Sequence, residues 1–388
     1  MDWTSHHMEV IPASGTLKML EIATKMEKEG KKIYHFEVGQ PDFSTPQNII
    51  DTAIKALNEG KTRYASSRGV PELLDAIEYM YAQRGIKIDG NKNVIVTPGA
   101  KMALFNGFLS TIDAGDDVLL LNPAWPTYKT LIRHSGALPV DVTTNPGYEL
   151  NEEALKDRMG KEVAGIVINS PNNPTGGVLT KDHLKFIYDL ACDHNFLIFS
   201  DEIYESLVYD GFKQTSMLEV DPDLKRSICV SGFSKSYAMT GWRLGYAIAA
   251  PSTIKNMVRV QQNTTSCATT FVQYAGVEAI RGDQSSIDKM RNAYQDRRDL
   301  IQKLFCEIIR VECLNPMGAF YVFPDFSEYE LSSATLAELL LKKTGVVTAP
   351  GHIFGEAYDN HLRFSYAAST QDIMDGIEVM AKFLQTLK

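Results

Sequence analysis

Cysteine is scarce in this chain, and the little there is does not pair. The 388 residues hold five, Cys192, Cys229, Cys267, Cys306 and Cys313, and none forms a Cys-x-x-Cys spacing. That argues against a disulfide scaffold or a thiolate metal site and for a reducing, cytoplasmic compartment. A basic excess is missing too. Against 39 Lys and Arg stand 48 Asp and Glu, a net charge of −9, which disfavours nucleic acid and anionic membranes as partners. No apolar run approaches the ~20 residues that cross a bilayer, and the first residues lack an apolar signal core. Internal repeats and low-complexity segments are also missing.

What is present is ordinary globular composition, 44% hydrophobic and 22% charged, over a length that exceeds one comfortable core. From about residue 46 to 250, short apolar runs alternate with helical patterns. Runs at 93–97, 118–122, 164–169, 196–201, 227–230 and 244–249 read as strands, which predicts an α/β fold with a mainly parallel sheet and helices on both faces. Past residue 281 the alternation changes, with strands near 310–314, 318–323, 346–349 and 361–367 and helices over 332–343 and 370–386. That predicts a smaller α+β C-terminal domain. Helical patterns over 251–280 and 283–309 join the two. The domains expected are 46–280, which would bind a cofactor, and 281–388. Residues 1–45, a polar arm ending in Pro12-Ala-Ser-Gly15, a helix from about Thr16 and a strand over 33–38, would join the smaller one.

Chemistry gathers where these strands end. Ser227-Ile-Cys-Val leads into Ser231-Gly-Phe-Ser234-Lys235, and Arg243 follows eight positions after the lysine. A lysine at a sheet end can form an imine with a carbonyl, and an arginine nearby can grip a phosphate with two donors. Pyridoxal phosphate offers both groups. Pro98-Gly99-Ala100-Lys101 turns a strand into a helix, so free backbone amides and the helix dipole would face an anion. It is neither a Gly-x-Gly-x-x-Gly nor a Walker loop, which weakens dinucleotide and nucleoside-triphosphate readings. Asp201 closes an apolar strand, and Tyr204 follows three positions on. A buried carboxylate needs a donor partner, and a protonated pyridine nitrogen is one. Arg363 lies inside the apolar run around 361–366, where a guanidinium needs an anion, internal or bound.

The Ser234-Lys235 pair with Arg243-Leu-Gly245 resembles the signature of class I and II pyridoxal-phosphate aminotransferases, fold type I, most like the bacterial and archaeal aspartate aminotransferase branch. Asn172-Asn173-Pro-Thr-Gly176 is a second mark. The resemblance implies that Lys235 carries the cofactor as a Schiff base and moves the α-proton. Asp201 would keep the ring nitrogen protonated, with Tyr204 beside the ring oxygen and the Asn173 amide donating to the phenolate. It further implies that Trp125, which otherwise reads as packing, stacks on the ring. Gly99, Ala100, Lys101, Ser234 and Arg243 would hold the phosphate, and Arg363 and the backbone of Gly39 the substrate carboxylate. Lys101 would favour acidic substrates, or else be only a solvated lysine. Tyr64, in a Tyr-x4-Gly segment, would reach the phosphate of a second subunit in a homodimer. The expected activity is transfer of an amino group from an L-amino acid, aspartate foremost, to 2-oxoglutarate, without a metal. Alanine or aromatic donors, or a lyase or synthase with the same cofactor, are the alternatives.

Overall fold

A computed structural model describes residues 15–387, with Trp3, Ser5 and Met8 ahead of them. The arm expected over residues 1–15 otherwise lies outside the described residues. The strands are β1 (Tyr34–His35), β2 (Val94–Thr97), β3 (Asp117–Asn122), β4 (Leu138–Thr143), β5 (Val163–Asn169), β6 (Leu197–Asp201), β7 (Ser227–Gly232), β8 (Gly245–Ile248), β9 (Tyr321–Val322), β10 (Val346–Val347), β11 (Ala349–Pro350) and β12 (Leu362–Ser365). The longer helices are α1 (Gly15–Lys28), α2 (Gln47–Asn58), α3 (Pro71–Gln83), α4 (Ala100–Thr111), α5 (Thr127–His134), α6 (Lys181–His194), α7 (Pro251–Gln262), α8 (Thr270–Arg281), α9 (Ser285–Cys306), α10 (Ser333–Thr344) and α11 (Thr370–Leu384).

Seven strands form the central sheet in the order β2-β8-β7-β6-β5-β3-β4. β3 to β7 pair in parallel, and β8 runs antiparallel to both neighbours. All residues of β2 and β7 are buried, as strands covered on both faces require. Because successive side chains point to opposite faces, the strands feed two cores. Ile95, Val118, Val167, Phe199 and Val230 pack with Phe108 of α4, Ile132 of α5 and Ile254 of α7. Val96, Leu119, Ile166, Ile198 and Cys229 pack on the other face with Ile77 of α3, Ile187 of α6 and Val272 of α8.

A third core joins Met19 of α1 and Phe36 to Ile301 of α9, Leu340 of α10, Phe364 of β12 and Ile377 of α11. Its strands form an antiparallel trio, β11-β12-β9, and a parallel pair, β1-β10. The mixed α+β character expected past residue 281 is therefore present, and the run at 33–38 lies beside β10 with its ladder confined to Tyr34 and His35.

Two expectations change. The strand expected at 310–314 is a single bridge, Glu312 to Asp325. The helix expected over 251–280 is two, broken between Gln262 and Thr270. There the Gln261 side chain donates to the carbonyls of Ser67 and Val96, and Ser266 takes a left-handed φ of 63°, so side-chain bonding and a turn displace helical continuation. α6, by contrast, has clear limits: the Thr180 side chain caps its start and Asn195 ends it in the left-handed region. Among the described residues no helix is long and apolar enough to cross a membrane.

Candidate active site

The carboxyl ends of β2, β3, β5, β6 and β7 open on one cavity of about 680 Å³, where a parallel sheet presents its ligand-facing loops. Gly39, Ala100, Lys101, Trp125 and Asn173 line it, as do Asp201, Tyr204, Ser234, Lys235, Arg243 and Arg363. Of the residues singled out from sequence, Gly99 lies just behind this wall and Tyr64 lies elsewhere. Tyr64 is 88% exposed and borders a separate surface depression with Thr265, Cys267 and Phe271.

Gly99 and Gly245 explain how a cation meets the start of α4. Gly99 takes φ 83° and no side chain caps the helix, leaving the Ala100 and Lys101 amides free, while the Met102 amide turns back to the Gly99 carbonyl. A Cβ on Gly99 would lie 2.5 Å from Arg243 Nη2, and one on Gly245 would lie 2.3 Å from the Ala100 amide nitrogen. Only bare backbone lets β8 and Arg243 approach this closely. Arg243 Nη1 is steadied by the Thr240 carbonyl at 3.0 Å. Lys101 Nζ sits 4.9 Å over the Trp125 ring.

Lys235 Nζ donates to the Gly39 carbonyl at 2.6 Å. Burial, with Arg363 and Arg243 adding repulsion, pulls its amine down to about 8. Asp201 is 3% exposed. Its Oδ2 accepts from the Tyr128 hydroxyl at 2.7 Å and its Oδ1 from the Ile203 amide at 3.2 Å. Burial nonetheless pushes the carboxyl up to about 6. Asn169 ties the neighbouring loops together: its Nδ2 donates to the Asp201 carbonyl, and its Oδ1 accepts from the Asn173 amide.

Arg363 on β12 reaches across from the third core. Nη1 donates to Asn173 Oδ1 at 2.9 Å and Nη2 to the Glu37 carbonyl, while Nε is buried without a partner. Its guanidinium lies 4.6 Å from the Tyr321 ring centre and 5.1 Å from that of Phe354. Tyr204 and Tyr321 share a 2.7 Å hydroxyl contact. A Cβ on Gly39 would fall 2.1 Å from the Tyr321 hydroxyl, a direct reason for glycine there.

Reading the chain alone missed the partners: Tyr128 under Asp201, Tyr321 beside Tyr204, and Glu37 and Asn169 behind Arg363 and Asn173. Tyr128 stands in the same proline-flanked turn as Trp125, the one local hint. Nothing in the order of residues signals that its hydroxyl meets a carboxylate 73 positions on.

Lys101, Lys235, Arg243 and Arg363 thus converge on one cavity, and among the described residues none of them has a carboxylate within ion-pair distance. Four cations and an unused guanidinium donor fit a ligand with more than one negative charge. The amine of lowered pKa suits an aldehyde, and the desolvated Asp201 suits a protonated ring nitrogen. A cofactor bearing an aldehyde, a phosphate and a pyridine ring matches that set of donors, and metal clusters are absent among the described residues.

Comparison with known proteins agrees. The family described as aminotransferase class I and II matches residues 31–377. A protein of Methanocaldococcus jannaschii named (5-formylfuran-3-yl)methyl phosphate transaminase is 41% identical over 371 residues, 95% of this chain and 96% of its own. The aspartate aminotransferase of Pyrococcus abyssi is 37% identical over 99% of both chains. The structure of Thermus thermophilus aspartate aminotransferase with maleate superposes with a TM-score of 0.93 at 34% identity, over 98% of this chain and 100% of that one. The chain belongs to the class I and II aminotransferases, on the aspartate aminotransferase branch. It is a transferase that depends on pyridoxal 5′-phosphate.

Proposed function

We propose that the enzyme moves the amino group of an L-amino acid, aspartate foremost, to 2-oxoglutarate. The observation that carries this reading is the placement of the Lys235 amine in one cavity with the buried Arg363 guanidinium and the Asp201 carboxylate. Lys235 would hold the cofactor covalently. The amides of Gly99, Ala100 and Lys101, with Ser234 and Arg243, would take its phosphate. Asp201 would face the ring nitrogen, and Trp125, Asn173 and Tyr204 would flank the ring. When bound, pyridoxal phosphate supplies an electron sink for charge developing at the substrate's α-carbon.

The chain's own residues do the rest. Arg363 takes the α-carboxylate through its free donors, with the Gly39 backbone alongside, and so fixes which α-bond is broken. The Lys235 amine, held near neutrality, accepts and returns the α-proton, a role worth roughly 10²–10⁴-fold. Tyr128 holds the Asp201 carboxylate in its ionised orientation. Lys101 gives an acidic side chain a counter-charge. Tyr64 serves the phosphate of a second copy in a homodimer with shared sites. Residues 46–280 form the cofactor-binding unit, and the described residues of 281–388 and of 15–45 form the smaller one. Leu20 and Val38 line the same cavity and favour a second substrate reading, aromatic amino acids.

The test is a panel of amino acids with 2-oxoglutarate, followed by borohydride reduction of the loaded enzyme and peptide mapping. Glutamate formation with the label on Lys235 is expected, and Lys235→Ala should lose both. Ammonia or a cyclic product without glutamate would reassign the enzyme as a lyase or synthase. Label on another lysine would end the reading altogether.

A further inference from the structure

Two backbone carbonyls of one short segment hold the two central cations of the site. The Glu37 carbonyl accepts from Arg363, and the Gly39 carbonyl accepts from Lys235. The Glu37 side chain, fully buried, belongs to neither contact. Its Oε1 lies 2.9 Å from His35 Nδ1, and the other ring nitrogen, Nε2, lies 3.2 Å from Oε1 of Glu27 on α1. Glu37 Oε2 is buried without a partner. An ionised carboxylate only accepts, so an imidazole between two of them must carry a proton on each nitrogen. His35 is therefore an imidazolium bracketed by acids.

We propose that Glu37 is a positioning residue for Lys235 and Arg363, held in place by a doubly protonated His35 that clasps the segment 37–39 to α1. The proposal rests on reading Arg363 as the grip on the substrate carboxylate. A buried carboxylate that loses its one charged partner is expensive. The nearest relief is a shift of the segment, which carries the two carbonyls with it. The groups facing His35 are Glu27 from α1, Glu37 from its own segment and Asp372 from α11, itself paired with Lys32. Arg363 faces Glu37 from β12. The hydrogen bond to Glu37 is the main cause that lifts His35 from 6.5 to about 9, against the pull of burial. The clasp is thus complete below about 6.5 and is lost as pH rises through about 9.

The measurement is calorimetric binding of maleate to the holoenzyme between pH 6 and pH 10, with the imidazole of His35 followed by nitrogen NMR in the same samples. Wild type should bind evenly to about pH 8 and then weaken about tenfold, the loss of one charge-assisted hydrogen bond. Glu27→Gln, at a half-exposed position that leaves the buried core untouched, should lower both the imidazole titration and the binding midpoint together. Glu37→Gln should weaken binding about tenfold at pH 7 and flatten its profile, while His35→Lys should restore affinity at high pH. If Glu27→Gln shifts the imidazole but leaves the maleate profile where it was, the clasp does not position the site and the proposal fails. Arg363→Lys separates the two readings: unchanged maleate binding there overturns the assignment of Arg363, not the clasp.

Discussion

The Tyr128 hydroxyl donates to Asp201 Oδ2 at 2.7 Å, so the acid at the end of β6 is oriented by the first turn of α5, two strands away in the sheet. This contact works against burial, which is what raises Asp201 from 3.8 to about 6.

Removing it should raise Asp201 further. Tyr128→Phe is expected to move the acidic limb of kcat/KM to higher pH, because the ionised carboxylate loses a donor. In the cofactor-free protein a raised acid contributes stability that is complete below about 3.8 and is lost as pH rises through about 6, on the order of 3 kcal/mol. Asp201→Asn should erase that dependence. Thermal melts of the apo forms from pH 4 to 7 provide the check, and parallel curves for both would refute it.

The Lys235 amine should be reactive well below the ordinary lysine range. Its pKa of about 8 predicts that covalent capture of pyridoxal phosphate by apo protein accelerates as pH rises through 8 and then levels off. Arg363→Gln removes the larger of the nearby positive charges and should push that midpoint upward. Stopped-flow absorbance at fixed cofactor concentration measures both.

Gly99→Ala would be strained at φ 83° and would drive the Arg243 guanidinium away from the start of α4. A stability loss of ~1 kcal/mol and a cofactor affinity reduced about tenfold are expected. Gly115 has φ 92° with nothing within 4 Å of the added Cβ. Gly115→Ala should therefore cost stability but leave the cofactor titration unchanged, and equal effects from both would remove the argument for the anion cradle.

Lys101→Ala should raise KM for aspartate about tenfold and hardly change that for alanine. Its Nζ over Trp125 places one positive charge beside the cavity wall, so only a substrate with a second carboxylate loses a partner. Steady-state kinetics with both donors settle the acidic assignment, and equal changes would favour the aromatic reading.

Much of this enzyme was legible along the chain because parallel strands confess themselves locally. An apolar run such as Ala164–Asn169 or Phe196–Asp201 must be a buried strand, and the polar residue that ends it must emerge at a sheet edge. That is why the sequence alone groups Asn173, Asp201 and Lys235, and why they line one cavity. The break at 263–269 escaped because its cause is not local: Gln261 bonds to the carbonyls of Ser67 and Val96.

The partners of the functional groups belong to a different level. Arg363 and Glu37 are 326 positions apart, Tyr204 and Tyr321 117, and no periodicity links them. Side-chain pattern states which face a residue takes, but a hydrogen bond between remote segments exists only once two cores have packed at one angle and distance. Residue order therefore determined the α/β alternation and the placing of Lys235, Asp201 and the Gly99 turn at strand ends. Folding alone supplied Tyr128 beneath Asp201 and the His35 clasp, because contacts of that kind are set by packing between elements that local sequence never mentions together.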